Sequence, residues 1–109
     1  MILDLKEIPE QAMPNFKGGE GIAWVRMFND GLNRILMLRI QPGCSIGMHT
    51  HDTSSEVIYV LEGVGTTILD GVTEILQPGD CSYCKKGGTH TLMNKGEADL
   101  VFFAVVPQQ

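Results

Sequence analysis

Histidine is scarce in this chain, which has only three among its 109 residues. Basic residues are also few: the eight Lys and Arg side chains are scattered, and the net charge is −5. Nucleic-acid binding needs a clustered basic surface, so the sequence excludes a nucleic-acid partner from the expected functions. The weakly acidic balance serves solubility and indicates no particular partner.

Long apolar runs are absent as well. No segment approaches the ~18 consecutive apolar residues of a membrane span, so no membrane association is expected. Residues 1–7 have acidic side chains within a short apolar stretch, which is not the pattern of a signal peptide. The three cysteines (Cys44, Cys81 and Cys84) are an odd number, which favours reduced thiols. Together these features predict a cytoplasmic protein.

Helical periodicity is missing from every long stretch, whereas turn residues are plentiful. The chain has thirteen glycines and five prolines, and hydrophobic residues make up 43%. Turn signals recur about every 8 to 12 residues, a spacing typical of antiparallel sandwiches and small barrels. The length suits one domain with its own core. We therefore predict a single all-β domain.

Seven apolar segments, each bounded by turn residues, predict β-strands. They are 22–28, 34–40, 56–61, 66–69, 72–76, 90–93 and 100–106. Asp70-Gly71 predicts a type I′ hairpin between two of them. Residues 1–21 are irregular, and we expect an N-terminal arm that either frays or pairs with a sheet edge or a second subunit. Residues 22–109 then form the single domain.

The last predicted strand, 100–106, is apolar on both faces. One face can fill the core, but the other needs cover. A second subunit would supply it, which predicts a homodimer. The alternative is that the N-terminal arm covers this face.

All three histidines fall into one pattern with a glutamate. His49 and His51 are two residues apart and face the same side if residues 48–51 are extended. Glu56 begins the next strand after a short loop, and His90 can reach the same point from a distant strand of a closed barrel. Imidazole nitrogen and carboxylate oxygen suit Mn, Fe, Co, Ni, Cu or Zn. Four protein ligands would leave two positions of an octahedron open.

The residues around this pattern resemble the two cupin motifs. The matching segments are Gly43-x5-His49-x-His51-x4-Glu56-x6-Gly63 and Gly79-x7-Gly87-x2-His90-x3-Asn94. The first motif matches at every defined position. The second departs at Lys85, where the family usually has proline with its fixed φ. More narrowly, residues 42–63 are similar to small single-domain cupins labelled oxalate-decarboxylase-like.

The resemblance implies a jelly-roll barrel of about six to eight strands with a metal inside, usually as a homodimer. It also implies the ligands His49, His51, Glu56 and His90, commonly holding manganese or iron. Three neutral imidazoles, one carboxylate and a divalent ion sum to about +1, which favours an anionic ligand.

The expected function is a metalloenzyme that acts on a small organic acid or another oxygen-rich molecule. Dioxygenation, decarboxylation and isomerisation through an enediolate compete, and the lack of a separate general base weighs against isomerisation. A non-catalytic metal- or metabolite-binding or sensing module is the alternative. A second alternative is a sugar isomerase- or epimerase-like cupin, although such relatives usually lack the full ligand set and use a His/Tyr pair.

Strand alternation also bears on three further residues near the motifs, Arg39, Tyr59 and Asn94. An inward Arg39 could clamp a substrate carboxylate, whereas an outward Arg39, the favoured alternative, would be solvated. Ile58 and Val60 share the inward face of Glu56, so Tyr59 should point outward, which argues against a role as acid or base. Asn94 lies four residues after His90 and faces the same side of an extended chain. It supports either the site or the turn.

The Cys81-x2-Cys84 spacing could indicate a redox or zinc site, but strand geometry argues against both. Residues three apart in a strand face opposite sides, so we expect ordinary structural cysteines, one of which could line the pocket near His90. Met37, Met48 and Met93 lie close to the motifs. They predict either dry pocket walls or ordinary core.

Overall fold

The computed structural model describes residues 1–109, which form two single-turn 3-10 helices and ten strands. The helices are Leu5–Glu7 and Phe16–Gly18. The strands are β1 (Gln11–Pro14), β2 (Ile22–Asn29), β3 (Asn33–Ile40), β4 (Ser45–Thr50), β5 (Glu56–Glu62), β6 (Gly65–Leu69), β7 (Val72–Leu76), β8 (Cys81–Cys84), β9 (Thr89–Met93) and β10 (Leu100–Pro107). Neither helix has the length and hydropathy to cross a membrane.

The strands make two antiparallel sheets that enclose the core. The larger sheet has six strands in the order β1-β2-β3-β10-β5-β8, and the smaller has four in the order β4-β9-β6-β7. The prediction of an all-β jelly-roll barrel is confirmed. Each of the seven predicted strands is present, with ends that differ by at most one residue. The structure adds β1, β4 and β8 to those seven.

Strand alternation sorts the side chains between the core and the outside. In β10, Leu100, Phe102, Ala104 and Val106 are buried, while the residues between them are half-buried on the outer face. These four belong to a hydrophobic cluster of 14 buried residues that draws on both sheets. Burial of one large apolar side chain such as Phe102 contributes about 1.5–3 kcal/mol to folding.

The turn between β6 and β7 is the predicted type I′ hairpin. Asp70 has φ 48° and Gly71 has φ 82°, and positive φ at both central residues defines this turn. The Asp70 carboxylate also accepts a hydrogen bond from the backbone N–H of Thr89 at 2.9 Å, and the Asp70 N–H donates to Thr89 O at 2.8 Å. The hairpin therefore holds the beginning of β9, the strand that contains His90.

The N-terminal arm is attached to the larger sheet at several points. Its strand β1 pairs with β2. Arg26 of β2 donates hydrogen bonds to the carbonyl oxygens of Lys6 and Ile8. Arg39 of β3 forms an ion pair with Glu10 at 3.1 Å. The arm thus covers part of the outer face near β2 and β3, while the part formed by β5 and β8 stays open.

Candidate metal centre

Four side chains converge inside the barrel. His49 lies near the end of β4, His51 follows directly after it, Glu56 begins β5, and His90 lies in β9. One possible ligand atom from each of them lies within 4.8 Å of all the others. The structure therefore brings together all four predicted ligands in a group that can hold a metal ion.

The spacing of the donor atoms fits a six-coordinate ion. The Nε2 atoms of His51 and His90 lie 3.0 Å apart, and each lies 3.0 Å from Glu56 Oε1. Donors about 2.1 Å from an ion are about 3.0 Å apart in neighbouring octahedral positions and about 4.2 Å apart in opposite ones. His49 Nε2 lies 3.9 Å from the same carboxylate oxygen, close to the opposite spacing. A six-coordinate ion held by these four donors would keep two positions for a small ligand.

A β-bulge in β4 turns His49 toward the interior. β4 pairs Ile46 with Leu92 and His49 with His90, so β4 has one more residue than β9 within this interval. Residues three apart in a regular strand face opposite sides. The extra residue lets both Ile46 and His49 face inward, where both line the same cavity.

Two glycines let the second 3-10 helix pack closely against this bulge. A Cβ atom at Gly47 would lie 2.1 Å from Lys17 O, and one at Gly19 would lie 2.1 Å from Ser45 O. Any side chain at either position would force the helix away from β4. Because both residues are glycine, the arm can form a wall beside His49.

Hydrogen bonds at Nδ1 orient two of the imidazoles. His49 Nδ1 donates to the backbone carbonyl of Gly47 at 2.7 Å, and His51 Nδ1 lies 2.8 Å from Ser54 Oγ. With the proton on Nδ1, the Nε2 lone pair is available at the centre of the cluster, as metal binding requires. The buried Nδ1 of His90 has no protein partner.

Glu56 remains ionised at the centre of the cluster. Burial favours the neutral acid, but the nearby imidazoles of His49, His51 and His90 outweigh burial and hold the pKa of Glu56 well below its usual range. The group therefore carries one negative charge together with three nitrogen donors. A divalent cation would bring the total to about +1, as expected from the sequence.

Residues near the C-terminus hold the loop 52–55 that joins two of the ligands. The Ser55 N–H donates to Pro107 O at 3.2 Å, and the Gln109 N–H donates to Thr53 O at 2.7 Å. These bonds restrain the loop at Thr53 and Ser55. They thereby limit how far His51 and Glu56 can move relative to each other.

A cavity of about 230 Å³ leads from the cluster to the solvent. Its apolar wall consists of Phe16, Leu36, Leu38, Ile46 and Val106. Sites for drug-sized ligands have volumes of about 300–1,000 Å³. This cavity is therefore suited to a smaller molecule, which would lie between an apolar wall and the cluster.

Two cations that the sequence pattern did not reveal line this cavity, Lys17 and Arg34. The signal for Arg34 is its alternation with Leu36 and Leu38, which are both buried on the inner face. The apolar run 35–38 hides that alternation. Lys17 reaches the cavity because the arm packs against β4, and no local pattern predicts this contact.

Arg39 lies on the outer face of the barrel and does not line the cavity. Its guanidinium pairs with Glu10 at 3.1 Å and with Asp99 at 3.5 Å, and it lies 5.3 Å from the centre of the Trp24 ring. Arg39 therefore has the outward orientation, and the inward Arg39 that would clamp a substrate carboxylate is wrong. The buried residues on either side of it occupy the inner face, so alternation turns Arg39 outward.

The other candidates near the motifs also lie away from the cavity. Met48 is exposed, and Met37 and Met93 are half-buried outside the cavity lining. Tyr59 points outward with 43% of its surface exposed, as alternation predicts. Asn94 is buried in a turn, where its amide donates to two backbone carbonyls at 2.8 and 2.9 Å. Its role is structural.

Cys81 and Cys84 face opposite sides of β8, as expected. Cys81 pairs in register with the outward Tyr59 and is exposed, whereas Cys84 pairs with Glu56 and is buried. Burial raises the pKa of Cys84 to about 11, and the negative charges of Asp70 and Glu56 add to this effect. The two thiols cannot chelate one ion together. Neither lines the cavity.

Known proteins share this architecture. The family model for the cupin domain matches residues 36–106. The chain belongs to the cupin family. An oxalate-binding protein of Thermotoga maritima is 27% identical to this cupin over 112 residues, which cover 97% of this chain and 93% of that protein.

Two solved structures illustrate the likeness in fold. A predicted oxalate decarboxylase from Thermotoga maritima superposes on this cupin with a TM-score of 0.93 at 27% identity, over 100% of both chains. A sugar phosphate isomerase of the cupin superfamily from Silicibacter pomeroyi has a TM-score of 0.78 at 22% identity, over 100% of this chain and 76% of that one. The second likeness concerns the fold alone.

Replacement of Ser54 by Ala removes the hydrogen-bond partner of His51 Nδ1. We expect the affinity for Mn²⁺, measured by equilibrium dialysis, to fall by about 10–100-fold because the imidazole is no longer held in one orientation. Thr53→Ala is the matched control, since the Thr53 hydroxyl donates to the side chain of Gln108 rather than contacting an imidazole. Equal affinities in the two variants would contradict this role of Ser54.

The two cysteines of β8 should differ sharply in reactivity. With a pKa of about 11, only about one Cys84 thiol in a thousand is ionised at pH 8, and that thiol is also buried. We expect iodoacetamide to modify the exposed Cys81 in folded protein while Cys84 stays free until the protein is unfolded. Peptide mapping by mass spectrometry measures both. Rapid modification of Cys84 in the folded state would be inconsistent with its position inside the barrel.

Proposed function

We propose that His49, His51, Glu56 and His90 bind one divalent transition-metal ion per chain. The convergence of three imidazole nitrogens on a buried, ionised carboxylate supports this proposal and carries the rest of the functional argument. Manganese or iron is favoured, while nickel, cobalt, copper and zinc are compatible with the same donors. Metal supply in the cell decides among these ions as much as the ligands do.

The proposed ligand of the metal is a small organic acid or another oxygen-rich molecule. The cavity volume of about 230 Å³ favours a small molecule. Outside the metal-binding group its lining holds two cations, Lys17 and Arg34, against one acid, Asp52, which favours an anion. The Thermotoga maritima relative is named for oxalate binding, which makes oxalate the first molecule to test here. Oxalate is small and doubly charged, in keeping with both properties of the cavity.

We propose metalloenzyme activity of the dioxygenase or decarboxylase type. A bound metal would supply Lewis-acid or redox chemistry at its open positions. The protein itself contributes orientation and exclusion of water. Leu36, Leu38 and Val106 keep one side of the cavity dry, while the hydrogen bonds to Gly47 and Ser54 hold the imidazoles in place.

Two alternatives remain in different functional classes. A binding or sensing module would use the same metal and cavity without turnover, and the name of the Thermotoga relative favours this alternative over other non-enzymes. A sugar isomerase- or epimerase-like activity finds support only in fold, and the complete four-residue ligand group argues against it. Turnover assays with the metal-loaded protein separate these classes.

We also propose a homodimer that buries the outer apolar face, defined as Val57, Tyr59, Tyr83, Phe103 and Val105. Strand register places these residues together on β5, β8 and β10. Tyr59 is 43% and Tyr83 51% exposed in the single chain. The N-terminal arm does not extend over this part of the sheet, so a second copy of the chain is the proposed cover.

Cytoplasmic location completes the proposal. The three cysteines are free, and two of them face opposite sides of β8. Thiols of this kind persist in a reducing compartment.

Metal analysis of the protein purified from its native host tests the proposed centre. We expect one transition-metal ion per chain in the wild type and almost none in His51→Ala or Glu56→Gln, with circular dichroism showing an intact barrel in each case. Glu62→Gln, at the far end of β5, is the matched control for Glu56→Gln and should keep its metal. Retention of one ion per chain by His51→Ala would refute the ligand assignment.

With metal content known, oxygen uptake and product formation are measured with small carboxylates and diketones. Turnover that is lost in the metal-free variants supports an enzyme. Oxalate binding without turnover under all conditions would support the binding module instead.

A charge placed on the outer apolar face should separate the dimer. We expect Tyr59→Glu to halve the molar mass measured by size-exclusion chromatography with light scattering, because a carboxylate buried in the interface lacks a partner. Val72→Glu, on the exposed edge strand β7, is the control and should leave the mass unchanged. A wild-type protein that is monomeric at micromolar concentration would rule out the proposed dimer.

A further inference from the structure

We propose that Arg34 is a specificity-determining residue, which binds the second carboxylate of a dicarboxylate whose first carboxylate reaches the metal centre. This inference rests on the proposed function, because it concerns the ligand of the same cavity. It is carried by the position of Arg34 in the barrel and by its lack of any protein partner.

Arg34 lies at the same level of the barrel as Glu56. Arg34 pairs in register with Val106. Val105 pairs with Val57, and the next residues along the two strands are Val106 and Glu56. Arg34 and Glu56 are thus two strands apart in one cross-sheet row, with about 10 Å between their Cα atoms.

The Arg34 side chain borders both the cavity and a second pocket beside the turn between β2 and β3. It shares the inner face with the buried Leu36, and it lines the cavity together with His49, His51 and Glu56. The Arg34 side chain and the metal-binding cluster therefore line the same cavity, with Val106 between them. A molecule held by the cluster lies within reach of this guanidinium.

Arg34 differs from the two other arginines in its partners. Arg26 donates to backbone carbonyls of the arm, and Arg39 is paired with Glu10 and Asp99. Arg34 makes no side-chain hydrogen bond and no ion pair, although it is half-buried. Its donors are therefore available to an anion that enters the cavity.

The chemistry of guanidinium selects the kind of anion. Its planar array of N–H donors matches a carboxylate in bidentate geometry. A monocarboxylate can occupy either the open metal positions or Arg34. A small dicarboxylate can occupy both at once, and only dicarboxylates gain from this second contact.

Lys17 provides a different kind of positive charge in the same lining. It is exposed, and its Nζ lies 5.7 Å from the centre of the Phe16 ring rather than against an inner strand. A flexible ammonium at this place attracts anions generally and does not distinguish one carboxylate from two. Lys17 therefore serves as a control that has the positive charge of Arg34 but not its planar array of N–H donors.

Isothermal titration of Mn²⁺-loaded protein with oxalate and with formate tests the inference. We expect Arg34→Gln to weaken oxalate binding by about 10–100-fold, the effect of one bidentate charge-assisted contact, while formate binding changes little. Arg34→Lys should keep only part of the oxalate affinity, because lysine has the charge but not the planar pair of N–H donors. Metal content and thermal unfolding are measured for every variant.

Two variants serve as matched controls. Lys17→Gln removes one charge from the same cavity, and Arg39→Gln removes an arginine from the same strand on its outer face. Arg39→Gln should keep both affinities of the wild type, because Arg39 lies outside the cavity. Lys17→Gln should weaken oxalate binding much less than Arg34→Gln does, since a screened charge on an exposed side chain contributes little.

The possible failures are distinguishable. If manganese-loaded wild type binds neither oxalate nor formate, the proposed function fails, and the inference fails with it. If wild type prefers oxalate and Arg34→Gln keeps that preference, only the role of Arg34 is overturned. Loss of manganese from Arg34→Gln would also overturn it, because Arg34 would then act on the metal-binding cluster itself.

Discussion

One buried carboxylate determines how the interior of this barrel is arranged. An ionised acid away from water costs several kcal/mol unless nearby groups offset that cost. Around Glu56 the offset comes from three imidazoles, and His51 and His90, 39 positions apart in the chain, meet within 3.0 Å to provide it. The β4 bulge turns His49 inward, the loop after His51 leads to Glu56, and β9 supplies His90. A cation at the same point would satisfy the nitrogen lone pairs and the carboxylate together.

The regular strands supply the ligands, whereas the irregular segments shape what can reach them. Phe16 and Lys17 come from a single helical turn of the arm, which fits against β4 because Gly19 and Gly47 have no side chains. On the other side, the last residues of the chain hold the loop 52–55. The metal-binding group and Arg34 therefore come from the sheets and the residue directly after β4, whereas part of the cavity wall comes from the arm.

Local patterns were sufficient to predict seven of the ten strands and the hairpin at Asp70, because alternation and turn chemistry are visible over a few residues. The full set of four ligands was expected from the resemblance to the cupin motifs. The β4 bulge was not predictable, since an extra residue is defined only by its pairing with β9. Arg34 was concealed by the apolar run that follows it, and Lys17 depends on a packing contact between distant segments. What escaped prediction was therefore the lining of the cavity rather than its metal-binding group.

The backbone bonds that hold the ligand loop join segments far apart in the chain. Ser55 donates to Pro107, 52 positions later, so the loop is made long before its partner exists. Until β10 is paired, this loop lacks both of its backbone partners, and the two candidate ligands on either side of it have no fixed separation. The centre therefore reaches its final geometry only when the last strand is in place.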